Sequence, residues 1–222
     1  MIHLHYFITR KPGIDESEFH RYWREVHGPI AMKIPQIRRY VQSHRIPGMS
    51  QNSTYDGVAE VFFEGLDEVA AFKSAKEYLE GALADEPNFI DMKRVEWMAT
   101  HDRVISDAPA QGLVKGVFQL GAKPGSTPAD FRTHWAEIHS KLALKMPGIR
   151  RYVQSQLIDE AYAYARPRFD GVAHVYFDSA EAMADSFASQ AGKADLADGE
   201  LFIDMPHMTF FVARETVFIE GR

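Results

Sequence analysis

Two histidines stand at the same position of a repeated segment, and an imidazole is well suited to move a proton near neutral pH. His27 follows a helical pattern of apolar residues that begins at Phe19, and His139 is its counterpart in the second copy. At about 100° of rotation per residue, His27 falls at the edge of the apolar face of this helix. A small molecule between the helix and a sheet can reach that edge, so we predict that His27 is catalytic. The alternative is a packed imidazole that only hydrogen-bonds a backbone carbonyl.

A tyrosine follows each of these histidines in an identical segment, RRYVQS. Tyr40 and Tyr152 are predicted to lie in strands, where a tyrosine usually belongs to the core with its hydroxyl satisfied. Strand alternation places Tyr40, Gln42 and His44 on one face. If Tyr40 and His27 converge on one molecule, a phenol and an imidazole can share its protons, so we predict Tyr40 as the second catalytic residue. The residues predicted to bind substrate are Trp23, Gln42, His44, Val61, His139 and Tyr152.

The two copies differ immediately after the histidine. Gly28-Pro29 follows His27, whereas Ser140-Lys141 follows His139. Proline has no N–H to donate to the carbonyl of Glu25, so we predict that the first helix kinks or leaves a carbonyl free beside the imidazole. The two copies are therefore not expected to be equivalent sites.

Two further histidines lie two residues apart in a predicted strand and would share one face of it. They are His3 and His5, and the aligned residues of the second copy are Lys115 and Val117. A metal site needs more ligands than these two, and the spacing implies no third one. We therefore predict no metal ligand and no cofactor. The sequence also contains no glycine-rich phosphate motif and no nucleophile elbow.

Composition excludes several classes of partner. The chain has 222 residues, 45% hydrophobic and 25% charged, as in an ordinary globular protein. Its 25 basic and 31 acidic residues leave a formal net charge of −6, so no nucleic-acid partner is expected. The lack of cysteine excludes disulfides and thiolate chemistry. Neither a membrane-spanning run nor a secretion signal is present, so we expect a cytoplasmic protein with no membrane partner. The last four residues, 219–222, resemble an engineered protease-cleavage site, so no functional role is predicted for them.

An internal repeat predicts the domain organisation. Residues 11–43 align without a gap to residues 123–155, with 17 of 33 positions identical. Later segments match as well, at nearly the same offset, so the chain consists of two tandem repeats. A segment rich in alanine, proline and glycine joins the copies. We place the two domains at residues 1–106 and 111–218, each of a size that suits one small core.

In each copy the pattern of apolar and turn residues predicts the element order β-α-β-β-α-β. Asp15 with Glu18 has the spacing of a capping box, and its counterpart Thr127-Pro128-Ala129-Asp130 places proline at the first helical position, so a helix is predicted to start here in each copy. This order is the split βαβ, or ferredoxin-like, unit, an antiparallel sheet with helices on one face. The segments predicted as strands are IHLHYFI, IRRYVQSH, DGVAEVFF and NFIDMKRVEWMA, and DEVAAFKSAKEYL is predicted as the second helix.

The third strand indicates how the two copies combine. Its alternate residues Gly57, Ala59, Val61 and Phe63 recur unchanged in the second copy, which places them under the helices. The other face still carries apolar residues and needs a cover, which the second copy supplies. We predict an α+β fold in which two ferredoxin-like βαββαβ repeats pack sheet-to-sheet as a pseudo-dimeric α/β barrel. Such a chain can still pair with a second copy, so a homodimer is a possible assembly.

The motif series resembles the EthD family of the dimeric α/β-barrel superfamily. The matching segments are KPG, FHRYWREVHGPIA, IRRYVQSH, DGVAEVFF and DEPNFIDM. The resemblance covers nearly all of both copies and implies the ferredoxin-like barrel. Relatives of the same build include muconolactone isomerases and polyketide-tailoring dehydratases, decarboxylases and cyclases, generally cofactor-free. The resemblance implies site roles for the helix-end histidine and the strand tyrosine, which correspond to His27 and Tyr40.

These observations together predict a cofactor-independent isomerase or lyase. Its substrate is expected to be a small oxygenated, aromatic or lactone-like catabolic intermediate, bound in an apolar pocket between helices and sheet. His27 would move the proton and Tyr40 would hydrogen-bond or protonate a developing enolate or carboxylate. The alternative is a non-catalytic accessory protein of a degradation pathway that binds a small molecule.

Overall fold

Both repeats form the predicted series of strand, helix, strand, strand, helix and strand. The computed structural model describes residues 1–163 and 166–221. Arg222, the last of the four residues that resemble a protease-cleavage site, lies outside the described residues. The first repeat contains β1 (Ile2–Ile8), α1 (Glu16–Tyr22), α2 (Gly28–Ala31), β2 (Arg39–Gln51), β3 (Gly57–Phe63), α3 (Leu66–Ser74), α4 (Leu83–Asp85) and β4 (Glu96–Ser106). The second contains β5 (Val114–Leu120), α5 (Pro128–His134), α6 (Ser140–Ala143), β6 (Arg151–Leu157), β7 (Gly171–Phe177), α7 (Ala180–Ala188), α8 (Gln190–Phe202) and β8 (Thr209–Ile219). None of the helices in this described part of the chain has the length and apolar content that a membrane crossing requires.

Hydrogen bonds connect the eight strands into a closed antiparallel barrel in the order β1-β3-β2-β8-β5-β7-β6-β4. The predicted fold class, two ferredoxin-like repeats in one α+β barrel, is confirmed. In the first repeat β3 lies between β1 and β2, with Glu60 opposite His5 on one side and Val61 opposite Tyr40 on the other. The same register recurs in the second repeat, where Tyr152 is opposite Val175. The paired tyrosine and valine therefore share a face of the sheet in both repeats.

The chain divides into two compact units. Unit 1 consists of Met1–Gly48, Thr54–Thr100 and Glu215–Arg222, and unit 2 consists of Met49–Ser53 and His101–Arg214. The end of β8 thus belongs to unit 1, and the ends of β2 and β4 belong to unit 2. The domain limits 1–106 and 111–218 stay a prediction.

A π-helical turn ends at each of the two aligned histidines. Residues Trp23–His27 form it in the first repeat and Trp135–His139 form it in the second. In the first repeat the N–H of Gly28 donates to the carbonyl of Trp23, five residues back. The helix then continues through Pro29 as α2, so this proline does not end it. The second repeat has the same turn without a proline, so proline is not required for it. Such π-helical turns are often found at functional sites.

A capping box forms at the start of the first helix in the second repeat but not in the first. The side chain of Thr127 accepts from the N–H of Asp130 at 3.1 Å, and the carboxylate of Asp130 accepts from the N–H of Thr127 at 3.2 Å. Asp15 occupies the N-cap position of α1 without a side-chain cap bond, so the prediction of a capping box there is wrong. The half of the box that Glu18 would form is lost because its carboxylate accepts two hydrogen bonds from Arg21, at 2.8 and 2.7 Å, instead of one from the N–H of Asp15.

A glycine at the start of β3 lets the first helix approach the sheet closely. A Cβ at Gly57 would lie 2.5 Å from the indole of Trp23 and 2.6 Å from the carbonyl oxygen of Ser43. Gly171 has the same relation to Trp135, at 2.5 Å. These contacts fix the height of each π-turn above its sheet, and they explain why the glycine recurs in both copies.

Candidate functional site

The imidazole of His27 is held by a carboxylate. Its Nδ1 lies 2.9 Å from Oδ2 of Asp85, a residue at the end of α4 that is 58 positions away in the chain. Hydrogen bonding to His27 is the main cause that lowers the pKa of Asp85 to about 2, so this carboxylate is ionised and can only accept. Nδ1 therefore carries the proton of this bond, which assigns Nε2 to any contact with a substrate. The arrangement is the aspartate–histidine pair that orients a general base in many enzymes.

Two further groups fix the orientation of Asp85. The hydroxyl of Tyr22 donates to its Oδ1 at 2.7 Å, and the amide nitrogen of Asn88 donates to the same oxygen at 3.0 Å. The ring of His27 also contacts the ring of Phe89, with 4.9 Å between centroids. The imidazole is therefore held on one edge by a fixed carboxylate and packed against an aromatic ring.

His27 lines a cavity in unit 1 between the helices and strands β1, β2, β3 and β4. The space free of protein atoms between its walls, including the open solvent at its mouth, is about 370 Å³. Most of its wall is apolar, which strengthens each polar contact made inside it. The residues of the wall that bear polar or aromatic groups are Tyr6, His27, Tyr40, Phe72, Tyr78, Glu86 and Trp97, and Val61 is among the aliphatic ones.

A second carboxyl group lies in the same wall. Glu86 is only 3% exposed, and it accepts a hydrogen bond of 2.9 Å from the hydroxyl of Tyr6. Burial raises the pKa of Glu86 to about 7, and the nearby charge of Asp85 contributes in the same direction. A large fraction of Glu86 is therefore protonated at neutral pH. Burial also raises the pKa of Tyr6 and raises that of Tyr78 to about 12, so both phenols stay protonated.

Tyr40 reaches this cavity from β2. Its ring is 1% exposed and stacks on Phe218, with 5.2 Å between centroids. Its hydroxyl accepts a hydrogen bond of 2.7 Å from Nε2 of Gln42. Burial is the main cause that raises the pKa of Tyr40, so the hydroxyl keeps its proton and can donate it to a bound molecule.

Gln42 links Tyr40 to the π-turn. Its Nε2 donates to the carbonyl of Trp23 at 2.9 Å as well as to the tyrosine hydroxyl. The same two bonds recur in unit 2, where Gln154 donates to the carbonyl of Trp135 at 2.8 Å and to the hydroxyl of Tyr152 at 3.0 Å. The glutamine therefore stabilises the turn on which the histidine sits, and its own side chain is fully buried.

His44 continues this network away from the cavity. Its Nε2 donates to Oε1 of Gln42 at 2.9 Å, and its Nδ1 lies 3.0 Å from Nδ1 of His20. Burial is the main cause that lowers the pKa of His44 to about 3, and the neighbouring His20 adds to the effect. A neutral His44 with its proton on Nε2 has an acceptor at Nδ1, so His20 donates to it.

Unit 2 contains a related cavity, built around His139. The space free of protein atoms between its walls, including the open solvent at its mouth, is about 630 Å³, and Tyr152 and Asp195 also line it. Nδ1 of His139 lies 2.9 Å from Asp198, which is the counterpart of Asp85. Nε2 of His139 lies 3.4 Å from Oδ1 of Asp195, whose pKa burial raises to about 6. The second histidine therefore has a carboxylate near each ring nitrogen, and position 199, which corresponds to Glu86, is glycine.

The structure brings some of the predicted residues together and leaves others outside. His27, Tyr40 and Val61 line the cavity of unit 1, and His139 and Tyr152 line that of unit 2. The other three predicted binding residues are buried beside these walls and take part in the packing and hydrogen bonding described above: Trp23, Gln42 and His44. The site roles of all eight residues stay predictions.

Two residues of the site were missed by the sequence analysis. Asp85 orients the imidazole, and Glu86 supplies the second carboxyl group. A signal for the first was present, because Asp198 is identical at the aligned position. No comparable signal exists for Glu86, since the second copy has glycine there.

The fold and site define a dimeric α/β-barrel type of protein with a buried aspartate–histidine pair. A solved structure of a putative monooxygenase from Fusobacterium nucleatum has this fold. It matches 99% of this chain and 94% of its own, with a TM-score of 0.67 and 9% sequence identity, a likeness that concerns the fold alone. The chain belongs to the EthD family, because the model of the EthD domain matches residues 11–93 and 123–206.

Two curated relatives are dehydratases by name. Dehydratase aurZ of Gibberella zeae is 25% identical over 100 residues, which are 38% of this chain and 66% of the relative. The conidial pigment biosynthesis dehydratase EthD of Metarhizium robertsii is 26% identical over 100 residues, which are 38% of this chain and 70% of the relative. The chain thus spans about two thirds of the length of these relatives.

Proposed function

We propose that the protein is a lyase of the dehydratase type that eliminates water from a small oxygenated, aromatic or polyketide-like compound by proton transfer. The observation that carries the proposal is the pair formed by His27 and Glu86, a base and an acid in the wall of one apolar cavity. The dehydratase names of the two curated relatives support this choice over an isomerase. They also favour a biosynthetic setting, and the catabolic setting stays a prediction without support from them.

The reaction is a β-elimination next to a carbonyl group. Nε2 of His27 takes the proton from the carbon beside the carbonyl, and the C–H electron pair forms the new C=C bond as the C–O bond breaks. Protonated Glu86 gives its proton to the departing hydroxyl, which leaves as water. Tyr40 donates a hydrogen bond to the carbonyl oxygen while negative charge develops there. A proton is then returned from the imidazolium to Glu86 through solvent, which restores both groups.

Each partner of the pair has a distinct reason for its role. Asp85 holds His27 in one tautomer, so the nitrogen that meets the substrate is the one able to accept a proton. The raised pKa of Glu86, about 7, lies close to neutral pH, where a general acid works best. The apolar wall excludes water that would compete for both protons.

The test uses a panel of hydroxylated cyclic ketones, with dehydration followed by the absorbance of the conjugated product. Wild type should turn over at least one member, and His27→Ala should lower kcat by about 100-fold or more, the usual contribution of a positioned acid or base. Glu86→Gln should lower kcat and remove the alkaline limb of the pH profile, since Gln cannot donate a titrating proton. His207→Ala removes an exposed imidazole and is the control, expected to leave the rate unchanged.

Two outcomes would contradict the proposal. A loss of less than tenfold for His27→Ala, with ligand affinity preserved in calorimetry, would exclude the imidazole as the base. Binding of panel members without turnover by any variant or by wild type would favour the accessory protein that only binds a small molecule. A sedimentation experiment on the same preparation would test whether the chain forms a homodimer, which stays a prediction.

A further inference from the structure

A second cluster of polar side chains lies outside the cavity of unit 1, on the opposite face of β3. It consists of His3 and His5 from β1 and Glu60 from β3, all of them buried at 2%, 0% and 3% exposure. The backbone register explains the cluster, because Glu60 is directly opposite His5 in the antiparallel pair and His3 shares a strand face with His5. The third ligand that the sequence spacing did not imply is thus supplied by the neighbouring strand.

The ligand atoms of the cluster are close enough together to bind one metal ion after small side-chain movements. Each of the three residues offers one ligand atom, and these atoms all lie within 4.8 Å of one another. Nε2 of His3 is 3.6 Å from Oε2 of Glu60. Ligand atoms around a tetrahedral ion with bonds of about 2.1 Å are separated by about 3.4 Å, so this edge already has the required length.

The surroundings orient the ligands. The hydroxyl of Ser43 donates to Oε1 of Glu60 at 2.5 Å, which turns the other oxygen, Oε2, towards His3. The ring of Phe62 stacks on His3 at 3.9 Å between centroids, and the rings of His3 and His5 are 3.7 Å apart. In known metal sites, contacts from residues that do not bind the metal themselves fix the orientation of the metal-binding side chains. The second repeat has lysine and valine in place of the two histidines, so it does not reproduce this set.

We propose that His3, His5 and Glu60 bind a divalent first-row transition-metal ion, with zinc as the best fit. Two imidazoles and one carboxylate are ligands that zinc accepts, and they leave the fourth tetrahedral position to a further ligand. The ion would neutralise a buried carboxylate and tie β1 to β3. It would lie on the face of β3 away from His27 and Glu86, so it is independent of the proposed elimination.

The experiment measures metal binding directly, without an activity assay. Protein purified in the presence of EDTA and then desalted is titrated with Co²⁺, whose visible absorption is strong in a tetrahedral site. We expect one equivalent per chain, displaced by Zn²⁺, and slow uptake because the ligands are buried. Thermal unfolding should move to higher temperature with Zn²⁺, since an ion that binds only the folded chain stabilises it.

Variants locate the site. Glu60→Gln and His5→Gln should weaken Co²⁺ binding at least tenfold and abolish the Zn²⁺-dependent rise of the unfolding temperature. His207→Gln removes a surface histidine and should bind as wild type does. Binding by Glu60→Gln with wild-type affinity, or no stoichiometric binding by wild type, would overturn the proposal and leave a buried histidine–glutamate cluster. If the variants do not fold, zinc X-ray absorption of the wild type decides, because a shell without two imidazoles would equally overturn it.

Discussion

Replacing Glu86 by glutamine should change the free energy of unfolding in a pH-dependent way. The free energy of unfolding of the variant minus that of wild type should be larger at alkaline pH than at acid pH. Burial raises the pKa of Glu86 from 4.5 to about 7 in the folded chain. Below pH 4.5 the carboxyl group is protonated in both the folded and the unfolded chain. As the pH rises towards 7, only the unfolded chain releases the proton, so the folded state loses stability. At 1.36 kcal/mol per pKa unit, the full loss is about 3 kcal/mol.

Glutamine removes this loss because it does not titrate, and its amide oxygen can still accept from Tyr6. The free energy of unfolding in urea is measured from pH 4.5 to 8.5 by tryptophan fluorescence, for wild type and for Glu86→Gln. The stability of the variant minus that of wild type should rise by about 3 kcal/mol across this range. Glu80→Gln changes an exposed glutamate that lies shortly before α4 in the chain, and this variant is the control. A difference between Glu86→Gln and wild type that stays constant with pH would refute the reasoning.

Two further predictions concern the supports of the site. Gly57→Ala should destabilise the fold by about 1–3 kcal/mol, because its Cβ would lie 2.5 Å from the indole of Trp23 and 2.6 Å from a backbone carbonyl. Gly65→Ala is the matched control, since no atom lies within 4 Å of the added Cβ, and equal unfolding temperatures for the two variants would contradict the prediction. Burial lowers the pKa of His44 from 6.5 to about 3 in the folded chain. As the pH falls below 6.5, only the unfolded chain gains the proton, so the folded state loses stability. Urea unfolding from pH 7 to 4 should therefore show a smaller loss for His44→Gln than for wild type, and parallel curves would argue against it.

The fold could be predicted because its information is local and is present twice. In β3 the alternation of side chains separates Ala59 and Val61, which line the cavity, from Glu60 on the other face. The repeat identified which of these alternating residues are shared by both copies. Helix starts were less predictable, since Asp15 and Glu18 have the spacing of a capping box but Arg21 competes for the glutamate.

The site was predictable only where it lies on one local pattern. His27 was found because its position on a helix face follows from spacing, whereas Asp85 lies 58 residues away and reaches it only through packing. Gln42 has the right strand face for a binding residue, yet its amide bonds the carbonyl of Trp23, which the π-turn presents to it. A π-turn leaves no simple mark in the spacing of apolar residues, so sequence periodicity could not predict this use of the glutamine.

The two units differ in where they place the second carboxyl group, and this difference argues that they do different work. In unit 1 it is Glu86, which accepts from Tyr6, and Nε2 of His27 is the nitrogen that acts as the base in the proposed reaction. In unit 2 it is Asp195, which lies 3.4 Å from Nε2 of His139 and so occupies the position from which that nitrogen would take a proton. Gly28-Pro29 predicts non-equivalent sites, but the helices on either side of each histidine have the same form. The inequivalence arises instead from the opposite wall of each cavity, where a carboxyl group either lies apart from the imidazole or engages it.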